Sequence, residues 1–180
     1  MARPVIRARG EAVRARGRSV TIDWYEGPRR ALRELFELAE DSAQLLDDYI
    51  EDGRVLVARD GTGEIVGHLQ LVPGARAGVF EIKNLAVRSD RQGTGIGRQL
   101  VAQSLDVCRR ESATTVEVAT AVADIDNVRF YQRCGFRAAS IERDAFTEAR
   151  GYPPGLVADG IPVLDSIVFD VSFDAPPTGH

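Results

Sequence analysis

The chain has 180 residues, of which 44% are hydrophobic and 28% charged, and its formal net charge is −4. A single globular domain of this size can bury a sizeable core. No apolar run approaches the roughly 20 residues of a membrane span, and the arginine-rich N-terminus lacks the apolar stretch of a secretory signal. We therefore predict a cytoplasmic protein in which Cys108 and Cys134 are free thiols, a single disulfide being the alternative.

Charge is distributed unevenly along the chain. Residues 1–18 contain six arginines and one glutamate, so the remainder carries a net charge of −9. An arginine-rich segment can contact nucleic acid or anionic lipid. Because this one lacks the aromatic residues and periodicity of a binding module, we predict a disordered arm, with no nucleic-acid and no membrane partner. The acidic remainder favours a cationic small molecule as ligand.

The hydrophobic pattern of the first half alternates between the period of strands and that of helices. An apolar stripe of Leu32, Leu35, Phe36 and Ala39 follows Pro28, a residue suited to the first turn of a helix. In chain order the pattern predicts a strand at 19–25, a helix after Pro28, a short helix over 42–51, strands at 54–60, 63–72 and 79–87, and a helix over 95–110.

The second half continues the same mixture of elements. It predicts a strand at 114–120, a helix capped by Asp124 or Asp126 and running to Cys134, and strands at 136–143 and 163–171. Residues 144–162 form a long connection rich in glycine and proline, and residues 174–180 are expected to be frayed. The order predicts one α+β domain over 19–173, with a mixed, mostly antiparallel central sheet flanked by helices.

Three glycines at alternate positions, Gly93, Gly95 and Gly97, separate the strand 79–87 from the helix 95–110. A nucleoside-triphosphate loop would continue with Lys and Ser or Thr, but Arg98 follows here. A dinucleotide fingerprint needs the spacing G-x-G-x-x-G within a βαβ unit, and the match is weak because the spacing here is G-x-G-x-G after strands predicted to be antiparallel. A pyrophosphate held only by backbone N–H groups at a helix N-terminus needs neither lysine nor metal. Coenzyme A fits such a turn, because its chemistry takes place at the distant thiol.

The glycine turn, Gln92-Gly93-Thr94-Gly95-Ile96-Gly97, resembles the Q/R-x-x-G-x-G/A motif of the GNAT superfamily of N-acetyltransferases. A second element downstream, "NVRFYQRCGF", is similar to the family's helix that carries an asparagine, a tyrosine and a Gly-Phe pair, here Asn127, Tyr131, Gly135 and Phe136. The resemblance covers about residues 20–172. It implies the family's α+β fold, acetyl-CoA as acyl donor and an amine of a small molecule or peptide as acceptor.

The resemblance also implies roles for individual residues. The strand residues Leu85, Ala86 and Val87 would line the thioester and pantetheine, and Asn127 would bind the pantetheine arm. Tyr131, on the same helix face as Asn127, would protonate the leaving sulfur, since a tyrosine with a pKa near 10 is protonated at neutral pH. The pyrophosphate would bind to the turn formed by Gln92, Gly93, Thr94, Gly95, Ile96, Gly97 and Arg98.

Several groups are candidates for the base that deprotonates the amine. Glu81 lies on the strand 79–87, where some family members carry a glutamate that acts through a water molecule. A solvated glutamate is the alternative, and Lys83, on the same face by alternation, can hold Glu81 ionised. His68 is a further candidate, although a single histidine on a strand is often structural. Deprotonation by water is the last possibility.

Other chemistries find no support in the residue pattern. No spacing of histidines and cysteines indicates a metal, and no serine-nucleophile motif occurs. We therefore predict direct acetyl transfer in a ternary complex, with Cys134 as a core thiol rather than an acyl carrier. Phe146 and Tyr152, in the long connection, are predicted to contact the acceptor. An inactive acyl-CoA-binding sensor or assembly module is the alternative function, and a homodimer is a possible assembly.

Overall fold

The computed structural model of the chain describes residues 20–173. The arginine-rich arm predicted at 1–18 and the frayed tail predicted at 174–180 lie outside the described residues.

The described elements follow the expected order, apart from a short two-stranded hairpin within residues 144–162. The strands are β1 (Thr21–Trp24), β2 (Arg54–Arg59), β3 (Ile65–Pro73), β4 (Val79–Val87), β5 (Thr115–Ala121), β6 (Arg137–Glu142), β7 (Val157–Ala158), β8 (Ile161–Pro162) and β9 (Ser166–Ser172). The α-helices are α1 (Arg33–Glu37), α2 (Ala43–Tyr49), α3 (Ile96–Arg110) and α4 (Ile125–Arg133), and single 3₁₀ turns occur at Arg29–Leu32, Ser89–Arg91 and Glu148–Arg150.

Seven strands form one sheet in the order β1-β2-β3-β4-β5-β9-β6. All neighbouring strands are antiparallel except β4 and β5, which are parallel and are connected through α3. This confirms the predicted α+β fold with a mixed, mostly antiparallel sheet. The parallel pairing joins only residues 79–82 of β4 to residues 115–118 of β5. Beyond Ile82 the two strands no longer pair, so the sheet opens at its centre.

Helices cover both faces of the sheet. The main core lies on the face covered by α3, whose buried residues Leu100, Val101, Ser104 and Cys108 follow the predicted helical spacing. A second core lies beneath the first two helices, where Leu32, Leu35 and Phe36 of the predicted stripe are buried with residues of β2, whereas Ala39 belongs to the main core. Helix α1 is shorter than a single continuous helix from Pro28 would be, because its first turn is the 3₁₀ turn Arg29–Leu32.

Side-chain caps define the starts of two helices. The Ser42 hydroxyl accepts a hydrogen bond from the Leu45 N–H at the start of α2, at 3.3 Å. Of the two aspartates predicted to cap α4, Asp124 does so, accepting from the Asn127 N–H at 3.0 Å. Gly135, with a φ of +93°, follows the end of this helix.

The connection at 144–162 contains more structure than its glycine and proline content predicted. It includes the 3₁₀ turn Glu148–Arg150 and a two-stranded hairpin of β7 and β8. Phe146 and Tyr152 anchor it in a third buried cluster, together with residues at the end of β5. Non-local burial therefore orders a segment that has no periodic pattern of its own.

Candidate active site

The glycine turn between β4 and α3 is held in shape by its own side chains. The Gln92 amide donates to the Val87 carbonyl oxygen at 3.0 Å, and the Thr94 hydroxyl donates to the Arg91 carbonyl oxygen at 2.6 Å. Gly93 and Gly95 have φ angles of +72° and +89°, which favour glycine. The first N–H groups of α3 have no partner within the helix, so the turn presents a row of donors to a ligand.

Gly95 and Gly97 differ in their surroundings. A β-carbon placed on Gly95 would meet no atom within 4 Å, so the space in front of this residue is open. A β-carbon on Gly97 would lie 3.3 Å from the Phe130 ring of α4. The first position can therefore serve a bound ligand, and the second serves the packing of α3 against α4.

A bulge in β4 lies at the point where the sheet opens. Gln70 pairs with Asn84 and Leu71 with Ile82, so Lys83 is an extra residue. The Lys83 ammonium lies 5.3 Å from the centre of the Tyr49 ring, and the Asn84 amide donates to the Tyr49 hydroxyl at 2.9 Å. Both residues of the bulge thus face helix α2.

The next three residues of β4 are those predicted to line the thioester. Leu85 and Ala86 are buried and Val87 is half-buried. They pair with β3 on one side only, because β5 has already separated. Their backbone groups on the β5 side are therefore not used by that strand.

Tyr131 and Asn127 lie one turn apart on α4, and both side chains are fully buried. The Tyr131 ring packs edge-on against Phe130 and Phe136, and its hydroxyl has no hydrogen-bond partner among residues 20–173. Burial raises the pKa of Tyr131 well above its ordinary value, so it keeps its proton. A buried hydroxyl without a hydrogen-bond partner destabilises the folded protein unless a bound ligand supplies that partner.

The Asn127 side chain is held by its neighbours. Its amide nitrogen donates to the Asp124 carboxylate at 2.9 Å and lies 3.4 Å from the Thr120 hydroxyl of β5. These bonds fix the start of α4 to the strand before it. The predicted contact of Asn127 with a pantetheine arm stays a prediction.

The predicted bases differ in their surroundings. Glu81 is half-buried, and its carboxylate lies 3.6 Å from the Lys83 ammonium, so the two residues share a face as alternation predicted. His68 is fully enclosed, with its ring 4.1 Å from that of Phe36. Asn84 lies beside this imidazole, but neither ring nitrogen makes a hydrogen bond within the described chain. Burial lowers the pKa of His68 to about 3, so it is neutral.

A buried carboxylate on this side of the sheet was missed by the sequence analysis. Glu40, in the loop between α1 and α2, is only 6% exposed and accepts a hydrogen bond from the Tyr49 hydroxyl. Tyr49 is a second site residue that the sequence analysis did not predict. Burial raises the pKa of Glu40 to about 7. A signal was present, since Glu40 lies four residues after Phe36 on the apolar side of the predicted helix, a place where a carboxylate is unusual.

The two aromatic residues predicted to contact the acceptor lie inside the third cluster. The rings of Phe146 and Tyr152 are 4.9 Å apart and edge-on, and both residues are buried. Leu45 of α2 packs against the same cluster. The cluster that contains both aromatic side chains therefore joins the 144–162 segment to α2, and their contact with an acceptor stays a prediction.

Residues 20–173 contain neither a metal-binding cluster nor a helix that could span a membrane. In this range no group of three or more His, Cys, Asp and Glu side chains is placed to hold a metal ion. None of the described helices is long and apolar enough to cross a membrane. Cys108 and Cys134 are both free thiols, as predicted, and burial raises the pKa of each to about 11.

An opened mixed sheet, a glycine turn at the start of the crossover helix and a buried tyrosine on the following helix together define a coenzyme A-type acyltransferase fold. The chain belongs to the acetyltransferase (GNAT) family, whose sequence model matches residues 21–136. This confirms the family resemblance of the two motifs and makes the protein an acetyltransferase.

Individual relatives support the same assignment. The N-acetyltransferase YvbK of Bacillus subtilis is 33% identical over 136 residues, which are 76% of this chain and 85% of that protein. A Bacillus subtilis acetyltransferase solved in complex with CoA has a TM-score of 0.77 and 29% identity, over 86% of this chain and 99% of the other. A GNAT family acetyltransferase from Elizabethkingia anophelis, solved with acetyl-CoA bound, has a TM-score of 0.77 and 27% identity, over 86% and 98%.

Proposed function

We propose that this protein transfers the acetyl group of acetyl-CoA to an amine of a small molecule or peptide, by direct attack in a ternary complex. The observation that carries the proposal is the Tyr131 hydroxyl, which is fully buried, protonated and without a partner in the described chain. The two structural relatives with CoA or acetyl-CoA bound support the choice of coenzyme.

The residues of the glycine turn fit the pyrophosphate of this coenzyme. Open space in front of Gly95 and the free N–H groups at the start of α3 suit a pyrophosphate. We assign phosphate binding to the backbone of Gln92–Arg98, with the Gln92 and Thr94 side chains holding the turn in shape. When bound, acetyl-CoA supplies the thioester whose acetyl group is transferred.

The chain's own residues then have distinct tasks. Backbone N–H groups of Leu85–Val87 on the side that β5 has left can stabilise the developing negative charge on the carbonyl oxygen. The Tyr131 hydroxyl donates its proton to the leaving sulfur. Glu81, near the bulge of β4, was predicted as a candidate base acting through water, and the buried carboxylate of Glu40 is a second candidate.

Binding and turnover must be measured separately to test this proposal. Calorimetric titration with acetyl-CoA measures binding, and thiol release is then followed with a panel of primary amines containing a diamine, a polyamine, an aminoglycoside and a lysine peptide. Binding together with release for one or more amines supports the enzyme. Binding without release for any of them supports the alternative, an acyl-CoA sensor or assembly module.

The compartment and the assembly also belong to the proposal. Two free thiols support a reducing compartment, and we propose the cytoplasm. A homodimer stays a prediction, which sedimentation of the purified protein can test.

A further inference from the structure

A chain of buried hydrogen bonds links the α1–α2 loop to the bulge of β4. The Tyr49 hydroxyl lies 3.2 Å from Oε2 of Glu40 and accepts a hydrogen bond from the Asn84 amide at 2.9 Å. The other carboxylate oxygen of Glu40 accepts from the Ser42 N–H at 3.0 Å. Glu40 is therefore held in one orientation, two hydrogen bonds away from the strand that lines the predicted acetyl site.

Within residues 20–173, the Glu40 carboxylate lacks a cationic partner at ion-pair distance. Glu40 makes no ion pair within residues 20–173, whereas Glu81 lies 3.6 Å from the Lys83 ammonium. Lys83 also acts on Glu40, but from a greater distance than its contact with Glu81. The remaining titratable groups that face Glu40 are Asp41 of its own loop, Tyr49 of α2 and Tyr152 of the 144–162 segment.

We propose that Glu40 is the general base of the reaction and that it recognises the acceptor as an ammonium ion. The ammonium group transfers one proton to the Glu40 carboxylate and becomes a neutral amine. The amine nitrogen then bonds to the acetyl carbon as the carbon–sulfur bond breaks, and the leaving sulfur takes the Tyr131 proton. The second nitrogen proton restores Tyr131, and the proton on Glu40 passes to solvent.

This inference rests on the proposed function, and the surroundings of the two carboxylates support it. A base works best when its pKa lies near the operating pH. Burial places the pKa of Glu40 at about 7. Glu81, in contrast, lies 3.6 Å from the Lys83 ammonium, so its carboxylate is already engaged in an ion pair.

The pH profile of kcat/KM, measured with the best amine of the panel, distinguishes the two carboxylates. We expect the wild type to show a limb that rises around pH 7. Glu81→Gln should keep that limb, whereas Glu40→Gln should lose it and reduce kcat/KM roughly 100-fold or more, the usual loss when a general base is removed. Glu40→Asp should recover part of the rate. A limb that survives in Glu40→Gln but disappears in Glu81→Gln would overturn the assignment.

Tyr49→Phe gives a second test that does not remove the carboxylate. The Tyr49 hydroxyl lowers the pKa of Glu40, so its loss should move the rising limb to higher pH. A purely structural role would reduce the rate without moving the limb. The variant therefore keeps the inference falsifiable even if Glu40→Gln does not fold.

The titration of Glu40 can also be measured without substrate. In protein labelled with ¹³C at glutamate carboxyl groups, the resonance that is missing from Glu40→Gln should titrate near pH 7, and titration near pH 4.5 would contradict the proposal. Acetyl-CoA titrations of the wild type and of Glu40→Gln distinguish a failure of the proposed function from a failure of this inference. If the wild type binds no acetyl-CoA, the proposed function fails, and if both proteins bind it but the limb persists in Glu40→Gln, this inference alone fails.

Discussion

Gly97 of α3 packs so closely on Phe130 of α4 that a β-carbon on the glycine would lie 3.3 Å from the ring. This distance is tighter than ordinary van der Waals contact, so a β-carbon on Gly97 would require the Phe130 ring to move by a few tenths of an ångström. The contact joins the glycine turn to the helix that carries Tyr131. The two sequence motifs of the family thus meet directly in the fold.

Gly97→Val should therefore destabilise the protein by about 1–3 kcal/mol, the usual cost of overpacking a core. Denaturant unfolding measures the change. Gly95→Ala is the matched control, since its added carbon meets no atom within 4 Å and it incurs mainly the strain of a positive φ. Equal losses for the two variants would contradict the difference in their surroundings.

Gly95→Asp should abolish acetyl-CoA binding, because the carboxylate would fill the open space in front of the turn with a charge of the same sign as the phosphates. Gly95→Asn has nearly the same shape, also tolerates a positive φ and carries no charge, so it should bind more tightly than the aspartate variant. Calorimetric titration of both folded proteins gives the comparison. Unchanged affinity in Gly95→Asp would show that the coenzyme binds elsewhere.

Tyr131→Phe should lower kcat roughly tenfold or more, because the leaving sulfur loses its proton donor, while coenzyme affinity changes little. The unfolding free energy should not fall, since the hydroxyl has no partner in the described chain and its removal leaves no unpaired group. Stopped-flow kinetics and denaturant unfolding test the two parts. An unchanged kcat, when chemistry limits the rate, would leave Tyr131 with a packing role only.

His68→Gln should flatten the loss of stability in acid. The folded-state pKa of His68 is about 3, below the ordinary 6.5, so between these values only the unfolded chain takes up the proton and wild-type stability falls as pH falls. From pH 7 to pH 4.5 the wild type should lose about 2–3 kcal/mol more than the variant. Unfolding measured across this range tests it, and equal losses in the two proteins would contradict the prediction.

Replacing residues 151–155 with a glycine-serine linker should raise the acceptor KM severalfold and leave acetyl-CoA binding intact, because this segment packs against α2 on the side of the predicted acceptor site. The linker also removes the buried Tyr152. The double variant Pro153→Ser and Pro154→Ser keeps Tyr152 and changes only exposed positions. If only the linker raises KM, the packing of Tyr152 carries the effect. Weaker coenzyme binding in either variant would place the segment at the donor site instead.

The sequence by itself determined the order of strands and helices, the glycine turn and the helix of Asn127 and Tyr131. Each of these is a local pattern: alternation predicts a strand, helical spacing predicts the buried face of α3, and a run of glycines permits positive φ angles. Because both family motifs lie within short segments, the family and the coenzyme class followed from them as well. The structure confirms the fold, and the comparisons confirm the family.

The tertiary structure decided what depends on distant segments meeting. The bulge at Lys83 arises from the pairing of β4 with β3, and the ordered path of residues 144–162 arises from burial of Phe146 and Tyr152 beside β5. The burial of Glu40 needs α1 and α2 packed on a strand about forty residues away in the chain. The sequence shows only that position 40 carries a carboxyl group. The tertiary packing excludes water from this group, and that burial raises its pKa to about 7.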